Sequence, residues 1–145
     1  MEIRIANQKD REACVELLLD LIDVTGEHLS RAAREAFDSL LDGQRGQVIV
    51  AEDDGELLGM VSLSYNVAMR YGGEYCQVEE VVVDPAARGR KVSSALMEAA
   101  LDHARRRGCE EVGAYVVDNA SENRSFYEKF GFVQVGVEMR QRLDN

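Results

Sequence analysis

The chain has 145 residues, and its 27 acidic side chains outnumber 17 basic ones, for a formal net charge of −10 at pH 7. Such an acidic surface disfavours binding to nucleic acid, which depends on neutralising phosphates with Lys and Arg. With 46% hydrophobic and 30% charged residues the composition excludes a disordered chain, and no apolar run approaches the roughly 20 residues that a membrane span needs. We therefore expect one globular domain over residues 1–145, with neither nucleic acid nor membrane as a partner.

The cysteines and the first residues predict a cellular compartment. The three cysteines are scattered, lie in apolar settings and lack metal-ligand spacing, so we expect reduced thiols and no metal site. Residues 1–6 alternate like a strand and do not resemble an export signal. The sequence therefore predicts a cytoplasmic protein.

The N-terminal half reads as one strand, two helices and a meander. Residues 2–6 predict the first strand, and Asn7 is a suitable N-cap for a first helix. A break at Thr25-Gly26 precedes a second amphipathic helix that ends near Gly43. Three further strands are predicted at residues 47–52, 56–65 and 75–83, with a hairpin turn at 53–55 and a loop at 66–73. These three strands should form an antiparallel meander.

The C-terminal half returns to alternating helix and strand. A helix is predicted from about Val92 to Arg107, and it should make the next strand, residues 112–117, parallel to the one before. A last helix ends at Gly131, and residues 132–140 predict a closing strand. The fold class is therefore α/β, with a mixed, mostly antiparallel sheet and helices on both faces.

A basic turn lies between the central strand and the helix that follows it. The strand ends at Asp84-Pro85, because proline cannot donate to a ladder. Four residues then precede the helix, in an otherwise acidic chain: Arg88, Gly89, Arg90 and Lys91. The first turn of a helix has free N–H groups and the positive end of the helix dipole, so a phosphate can bind there. The alternative is an ordinary connection with a solvated basic turn.

This turn resembles the pyrophosphate loop of the GNAT acetyltransferase superfamily, [Q/R]-x-x-G-x-[G/A]. Arg88 fits the first position, whereas Lys91 and Ser93 stand where the pattern has Gly and Gly or Ala. A second block is similar to the superfamily's C-terminal helix signature at Asn123, Phe126, Tyr127, Lys129, Gly131 and Phe132. Both blocks, with the strand at 78–84, resemble glucosamine-6-phosphate N-acetyltransferases in particular.

The resemblance implies a GNAT-like twisted sheet of six to seven strands and acetyl-CoA as co-substrate. It implies that backbone groups of the central strand bind the pantetheine arm and that loop amides bind the diphosphate. The cofactor-binding residues implied are Val81, Val82, Val83, Arg88, Gly89, Arg90, Lys91, Val92, Ser93 and Asn123. It also implies that the two N-terminal helices shape the acceptor pocket, with Glu27, His28, Asp38 and Asp42 as candidate contacts or as a solvated face.

Acetyl transfer to an amine needs a base for the amine and a proton for the departing thiolate. Glu79 and Glu80 are the acidic pair inside the predicted central strand, and strand alternation places them on opposite faces, so that one of the two can serve as base. The alternative for each is a hydrogen-bonded strand glutamate. The resemblance implies that Tyr127 lies near the CoA sulfur as general acid or thiolate stabiliser, although a Phe-Tyr pair on a helix also packs in cores.

The sequence thus predicts an N-acetyltransferase that transfers acetyl to a primary amine of a small molecule or peptide, in a ternary complex. The rival interpretation is a non-catalytic acyl-CoA sensor of the same fold, suggested by Lys91 and Ser93. Exposed edge strands also predict a homodimer.

Overall fold

The computed structural model describes residues 1–22, 27–116 and 121–143. Its regular elements are β1 (Glu2–Ile5), α1 (Arg11–Ile22), α2 (Glu27–Leu40), β2 (Gly46–Asp53), β3 (Glu56–Ala68), β4 (Gly73–Val83), α3 (Val92–Arg107), β5 (Val112–Ala114) and α4 (Ser121–Lys129). Short 3₁₀ turns occupy Gln8–Asp10, Met69–Tyr71 and Pro85–Ala87. The predicted break at Thr25-Gly26 lies outside the described residues.

The five described strands form one sheet in the order β1-β2-β3-β4-β5. The pairs β1–β2, β2–β3 and β3–β4 are antiparallel. The pair β4–β5 is parallel, because α3 carries the chain back across the sheet. The prediction of a mixed, mostly antiparallel sheet is confirmed.

Helices cover both faces of the sheet, as predicted. Cys14 and Leu17 of α1 and Phe37 of α2 pack on one face, while Leu96 and Met97 of α3 belong to the core on the other. No helix in the described ranges is both long and apolar enough to cross a membrane. Two apolar cores therefore hold the sheet between two helical layers.

Gly59 on β3 determines how closely α3 approaches the sheet. A Cβ atom at this position would lie 2.7 Å from the carbonyl oxygen of Val82 and 3.2 Å from a methyl group of Val92. Val92, the first residue of α3, is 2% exposed. The absence of a side chain at residue 59 thus seats the N-terminus of α3 directly on the strands.

The predicted number of strands is wrong. The described residues contain five strands, not six to seven, and residues 132–140 make no ladder. Their alternation of apolar and polar residues is typical of a strand, but a strand also requires a neighbour to hydrogen-bond with. Within the described part of the chain β5 ends at Ala114, and no strand follows it at that edge.

The predicted loop at residues 66–73 is also shorter than expected. β3 continues to Ala68, because Asn66 pairs with Tyr75 and Ala68 with Gly73. Only the 3₁₀ turn Met69–Tyr71 and Gly72, with a φ of 66°, connect β3 to β4. The β3–β4 hairpin is therefore long, and it passes through the middle of the sheet.

Candidate active site

A β-bulge in β4 places two carboxylates on one face of the sheet. Ser62 pairs with Glu80 whereas Leu63 pairs with Val78, so that Glu79 is the extra residue. Glu80 accepts a hydrogen bond from Ser62, and Glu79 accepts one of 2.5 Å from Ser64. The two serines are separated by one residue on β3 and therefore share a face. The expectation that the glutamates face opposite sides is wrong, because the bulge interrupts the alternation.

Glu80 occupies the more protected of the two positions. Its carboxyl group is half-buried, and the pKa is raised above the ordinary value of 4.5, mainly because burial disfavours the charged form. The hydrogen bond from Ser62 opposes this rise, and the charge of Glu79 adds to it. Glu79 is exposed. Of the two carboxylates, Glu80 is thus the one in a partly buried setting that raises its proton affinity.

A cavity of about 130 Å³ opens beside Glu80, between the sheet and the two N-terminal helices. Its described lining is mostly apolar: Cys14, Val15, Leu18, Ala33, Ala36, Phe37, Leu40, Val48, Met60, Ser62 and Glu80. Asp38 and Asp42 do not line it. Instead Asp38 accepts a 3.0 Å bond from Arg11, and Asp42 accepts a 3.0 Å bond from the N–H of Gln44. The side chains of Glu27 and His28 lie outside the described set.

β4 and β5 separate at the bulge, because their ladder ends at Val78, the residue before Glu79. Among the residues that the structure describes, their ladder joins 76–78 to 112–114 and extends no further. Asp84 donates its N–H to Leu58 of β3 at 2.8 Å, and successive strand residues direct their backbone groups to opposite edges. Val81 and Val83 therefore direct theirs to the edge that β5 leaves free. An extended ligand can hydrogen-bond to that edge as a strand would.

The turn before α3 leaves its backbone accessible. Gly89 has a φ of 84°, and an added Cβ there would meet nothing within 4 Å. Lys91 occupies the N-cap position of α3 but makes no capping bond with its side chain. The Arg90 side chain pairs with Asp53 at the β2–β3 turn. The N–H groups of Arg88 and Arg90 donate to Pro85 and Ala87 within the turn, so the amides that can bind an anion are those of Gly89 and of the first turn of α3.

Lys91 adopts the left-handed conformation, with a φ of 60°. A side chain in this region clashes with its own backbone, and glycine avoids the clash. This backbone conformation explains why the superfamily pattern has glycine at the position of Lys91. Lysine can occupy it only under strain.

We expect Lys91→Gly to stabilise the protein. Relief of roughly 1–2 kcal/mol of left-handed strain exceeds the roughly 0.5–1 kcal/mol that glycine adds in unfolded-chain entropy. The midpoint of urea unfolding should rise accordingly. Lys91→Ala is the control, because it removes the charge and keeps the strain. An equal rise in both variants would assign the effect to charge instead.

Tyr127 lies on the other side of the sheet from Glu80. Its ring packs edge-on against Phe126 at 5.3 Å and Phe132 at 5.4 Å, and it contacts the core beneath α3. Burial raises the pKa of its hydroxyl above 10.0, so the group is protonated at neutral pH and can donate. The separation of β4 from β5 is the opening in the sheet that can join the two sides.

Val81 and Val83 lie at this opening, whereas two other predicted residues occupy different kinds of position. Val82 is 5% exposed in the core under α1, and its place is one of packing. Asn123 is exposed in the first turn of α4. Sequence reasoning missed Ser62 and Ser64, although two serines at alternate positions of an apolar strand do mark a polar patch on one face. In the described ranges no group of three or more His, Cys, Asp or Glu side chains could hold a metal ion.

Comparisons with known proteins agree with this geometry. The model of the acetyltransferase (GNAT) family matches residues 13–132. Glucosamine 6-phosphate N-acetyltransferase 1 of Oryza sativa subsp. japonica is 35% identical over 126 residues, which cover 84% of this chain and 74% of the relative. The crystal structure of glucosamine-6-phosphate N-acetyltransferase from Arabidopsis thaliana superposes with a TM-score of 0.81 at 26% identity, covering 99% of this chain and 98% of the other.

A third comparison is with a solved structure that contains CoA. An aminoglycoside N-acetyltransferase solved in complex with CoA superposes with a TM-score of 0.83 at 20% identity, covering 98% of this chain and 93% of the other. At this identity the likeness establishes the shared fold. The family match over most of the chain, together with the separated strands and the amide-rich turn, establishes that this protein belongs to the GNAT family of acetyltransferases.

Proposed function

We propose that the protein transfers the acetyl group of acetyl-CoA to a primary amine by direct attack within a ternary complex. The observation that carries the proposal is the separation of β4 from β5 beside the bulge, where a strand-like ligand can reach Glu80. The family match and the relatives named as N-acetyltransferases support the same reaction. The acceptor is a small molecule or a peptide.

In this proposal the cofactor lies along β4 and over the turn before α3. The pantetheine arm hydrogen-bonds to the free edge at Val81 and Val83, and the diphosphate accepts bonds from amides between Arg88 and Ser93. Asn123, at the start of α4, contacts the arm. No metal is needed, because transfer between two nucleophiles requires only proton movement and a polarised carbonyl.

Glu80 takes the proton of the amine, directly or through one water molecule. The amine nitrogen then attacks the thioester carbonyl carbon, and the bond to sulfur breaks as the tetrahedral intermediate collapses. Tyr127 donates its phenolic proton to the departing thiolate, the acylated nitrogen releases its extra proton to solvent, and solvent reprotonates the phenol. The bulge at Glu79 leaves backbone groups outside the ladder, and we assign the developing oxyanion to an N–H donor there.

The proposal extends to the acceptor site, the cellular location and the oligomeric state. The apolar cavity beside Glu80 receives the acceptor, and the net charge of −10 attracts a cationic amine before it loses its proton. Cys14 and Cys76 are buried free thiols, which fit a cytoplasmic location. We also propose that the protein is a homodimer.

Release of free thiol from acetyl-CoA tests the reaction across a panel of amines that includes glucosamine 6-phosphate, alkylamines and peptide N-termini. We expect turnover with at least one class and none without an amine. Binding of CoA with no turnover on any acceptor would instead support a non-catalytic CoA sensor. Failure to bind CoA would overturn both.

We expect Tyr127→Phe to lower kcat by about 10-fold or more, because a positioned general acid contributes roughly 10²–10⁴-fold. The affinity for CoA, measured by calorimetry, should stay within a few-fold, since the ring still packs on its neighbours. Tyr71→Phe is the matched control, because its hydroxyl donates to Glu111 on the surface. An unchanged kcat in Tyr127→Phe would remove this residue from the mechanism.

A further inference from the structure

Strand β3 extends past the end of its neighbour β2. In the register of these two strands the last pair joins Gly46 to Ser64, and the N–H of Tyr65 then donates to the carbonyl oxygen of Arg45 at 2.8 Å. β3 continues to Ala68 and stays paired with β4 along its other edge. Beyond Tyr65, β3 therefore has a strand neighbour on one edge only within the described part of the chain.

Val67 presents a free backbone donor and a free acceptor at this edge. Backbone groups of successive strand residues point to opposite edges, so those of Val67 point the same way as those of Tyr65. Continuing the register would place Gly43 opposite Val67. Instead the N–H of Gly43 donates to Leu40 at 3.3 Å, and its carbonyl oxygen accepts from Arg107. Among the described residues no backbone hydrogen bond reaches Val67 from this side.

Arg107 holds the loop before β2 away from this edge. Its guanidinium donates to the carbonyl oxygens of Gly43 and Gln44. It also pairs with Glu74 of β4 at 2.9 Å and lies 4.0 Å from the centre of the Tyr65 ring. The last residue of α3 thus joins the loop to β3 and β4, and these contacts keep the edge open.

A second cavity, of about 460 Å³, lies beside the open edge. Arg45, Asn66 and Val67 are among its lining residues, and Val67 is 78% exposed. The cavity shares Ala36 and Leu40 of α2 with the smaller cavity of the candidate active site. The two cavities are therefore neighbours along α2, and one ligand can occupy both.

Polar side chains of β3 connect the two cavities. Ser62, Ser64 and Asn66 occupy alternate positions and therefore share a face of the sheet. Asn66 donates to the hydroxyl of Ser64 at 3.0 Å, and Ser62 donates to Glu80. Val67 lies five residues after Ser62, which is roughly 17 Å of extended chain. A ligand that reaches from Glu80 to Val67 thus has the length of about six peptide residues.

The cavity beside Val67 contains a positive charge. Arg45 is exposed, and it takes part in no ion pair among the residues that the structure describes. Glu74, which also lines the cavity, is paired with Arg107. In a chain with a net charge of −10, Arg45 therefore favours a carboxylate on the ligand close to the strand edge.

We propose that the open edge of β3 at Val67 binds the backbone of a peptide acceptor whose terminal amine reaches Glu80. The inference selects the peptide class of acceptor and rests on the proposed function. One peptide residue donates its N–H to the carbonyl oxygen of Val67 and accepts from the N–H of Val67, as an added strand would. This is about the sixth residue of the peptide, and an acidic side chain there lies close to Arg45.

A series of alanine peptide amides with one to eight residues, and glutamate as the sixth, tests the proposed length. Acetylation is followed by release of free thiol from acetyl-CoA. We expect kcat/KM to rise by about 10-fold or more when the sixth residue is added, because two backbone hydrogen bonds then form. Methylation of the backbone nitrogen of that residue should abolish the rise. A kcat/KM that does not depend on length, or acetylation of other amines but of no peptide, would overturn the inference.

Val67→Pro tests the strand edge itself. Proline removes the free N–H and leaves the ladder with β4 intact, because this N–H points away from β4. We expect the ratio of kcat/KM between the six-residue and one-residue peptides to fall to within about 3-fold, since the edge hydrogen bonds are lost. Val67→Ala is the matched control, because it keeps the N–H and removes only exposed side-chain atoms, and it should retain the wild-type ratio. A wild-type ratio in Val67→Pro would contradict the proposal.

A cycle of two proteins and two peptides tests the charge. The wild-type protein should prefer the six-residue peptide with glutamate over the same peptide with lysine as the sixth residue. Arg45→Glu should reverse this preference, because the charges of both partners at the edge are exchanged. An equal preference in the two proteins would exclude Arg45 from the site.

Direct binding separates this inference from the proposed reaction. The six-residue peptide with an acetylated N-terminus and a fluorescent label at its C-terminus reports binding by anisotropy, without turnover. We expect its Kd to rise by about 10-fold or more in Val67→Pro and to stay near the wild-type value in Val67→Ala. This pattern with no turnover on any amine would overturn the acetyltransferase proposal and support the edge site. Turnover with small amines, together with equal Kd values in the two variants, would overturn the edge site alone.

Discussion

We expect Glu80→Gln to lower kcat/KM for the amine by about 100-fold or more, the contribution of a positioned general base. The amide retains the volume and a hydrogen bond to Ser62, so the loss reports the missing proton acceptor. In the wild-type enzyme activity should fall as the pH drops through the raised pKa of Glu80, since the carboxyl group is then protonated. This acidic limb should disappear in the variant. Steady-state kinetics between about pH 5 and 9 measure both effects.

Glu79→Gln is the matched control for this result. Glu79 is the neighbouring residue, shares the face of the sheet and also accepts from a serine, but it is exposed. We expect its kcat/KM to stay within a few-fold of the wild-type value. Equal losses in the two variants would mean that the pair acts together, and a loss confined to Glu79→Gln would transfer the role of base to Glu79.

The stability of Glu80→Gln should change in the opposite direction to its activity. Because folding raises the pKa of Glu80, the folded state retains this proton to a higher pH than the unfolded state. The free energy of unfolding therefore falls as pH rises from about the ordinary value of 4.5 through the raised pKa. Glutamine removes this loss, so we expect higher stability than wild type at about pH 7 and little difference at about pH 4. Urea unfolding at both pH values tests the sign.

We expect Gly89→Glu to raise the Kd for CoA by about 100-fold or more, through loss of charge-assisted phosphate bonds. The substitution forces a side chain into a backbone conformation with φ of 84° and places a negative charge beside the amides that would bind the diphosphate. Isothermal calorimetry with CoA and with pantetheine separates the contribution of the phosphates to affinity from that of the pantetheine arm. Pantetheine binding should change much less, because it lacks the diphosphate.

Gly72→Glu controls for backbone strain alone. Gly72 has a φ of 66°, and like Gly89 it has nothing within 4 Å of an added Cβ, but it lies between β3 and β4. Its stability should decrease like that of Gly89→Glu while its CoA affinity stays near wild type. Retained CoA affinity in Gly89→Glu would show that the cofactor phosphates bind elsewhere.

Much of the fold could be predicted because local signals and tertiary packing agree. The helix from Val92 to Arg107 has apolar spacing inside and glycine directly after it, and its bounds match the prediction. The parallel direction of β5 followed from the intervening helix. In these places the residue pattern and the topology impose the same structure.

The bulge in β4 could not be read from the chain. Two adjacent glutamates in a strand predict opposite faces, and only the pairing of Ser62 and Leu63 with the neighbouring strand reveals an extra residue. Residues 132–140 show a related gap, because their alternation predicts a strand but does not identify a partner. Properties that depend on a second strand are not encoded in the periodicity of the first.

The close contact between α3 and Gly59 has a consequence for how the protein tolerates mutation. The helix start whose amides we propose to bind the cofactor is positioned by the missing side chain of Gly59 on β3. A residue larger than glycine at position 59 would push the N-terminal turn of α3 away from the sheet. The proposed phosphate-binding amides would then shift relative to the opening between β4 and β5. A single substitution at Gly59 would therefore reduce both stability and cofactor affinity, although residue 59 lies well before the turn that precedes α3 in the sequence.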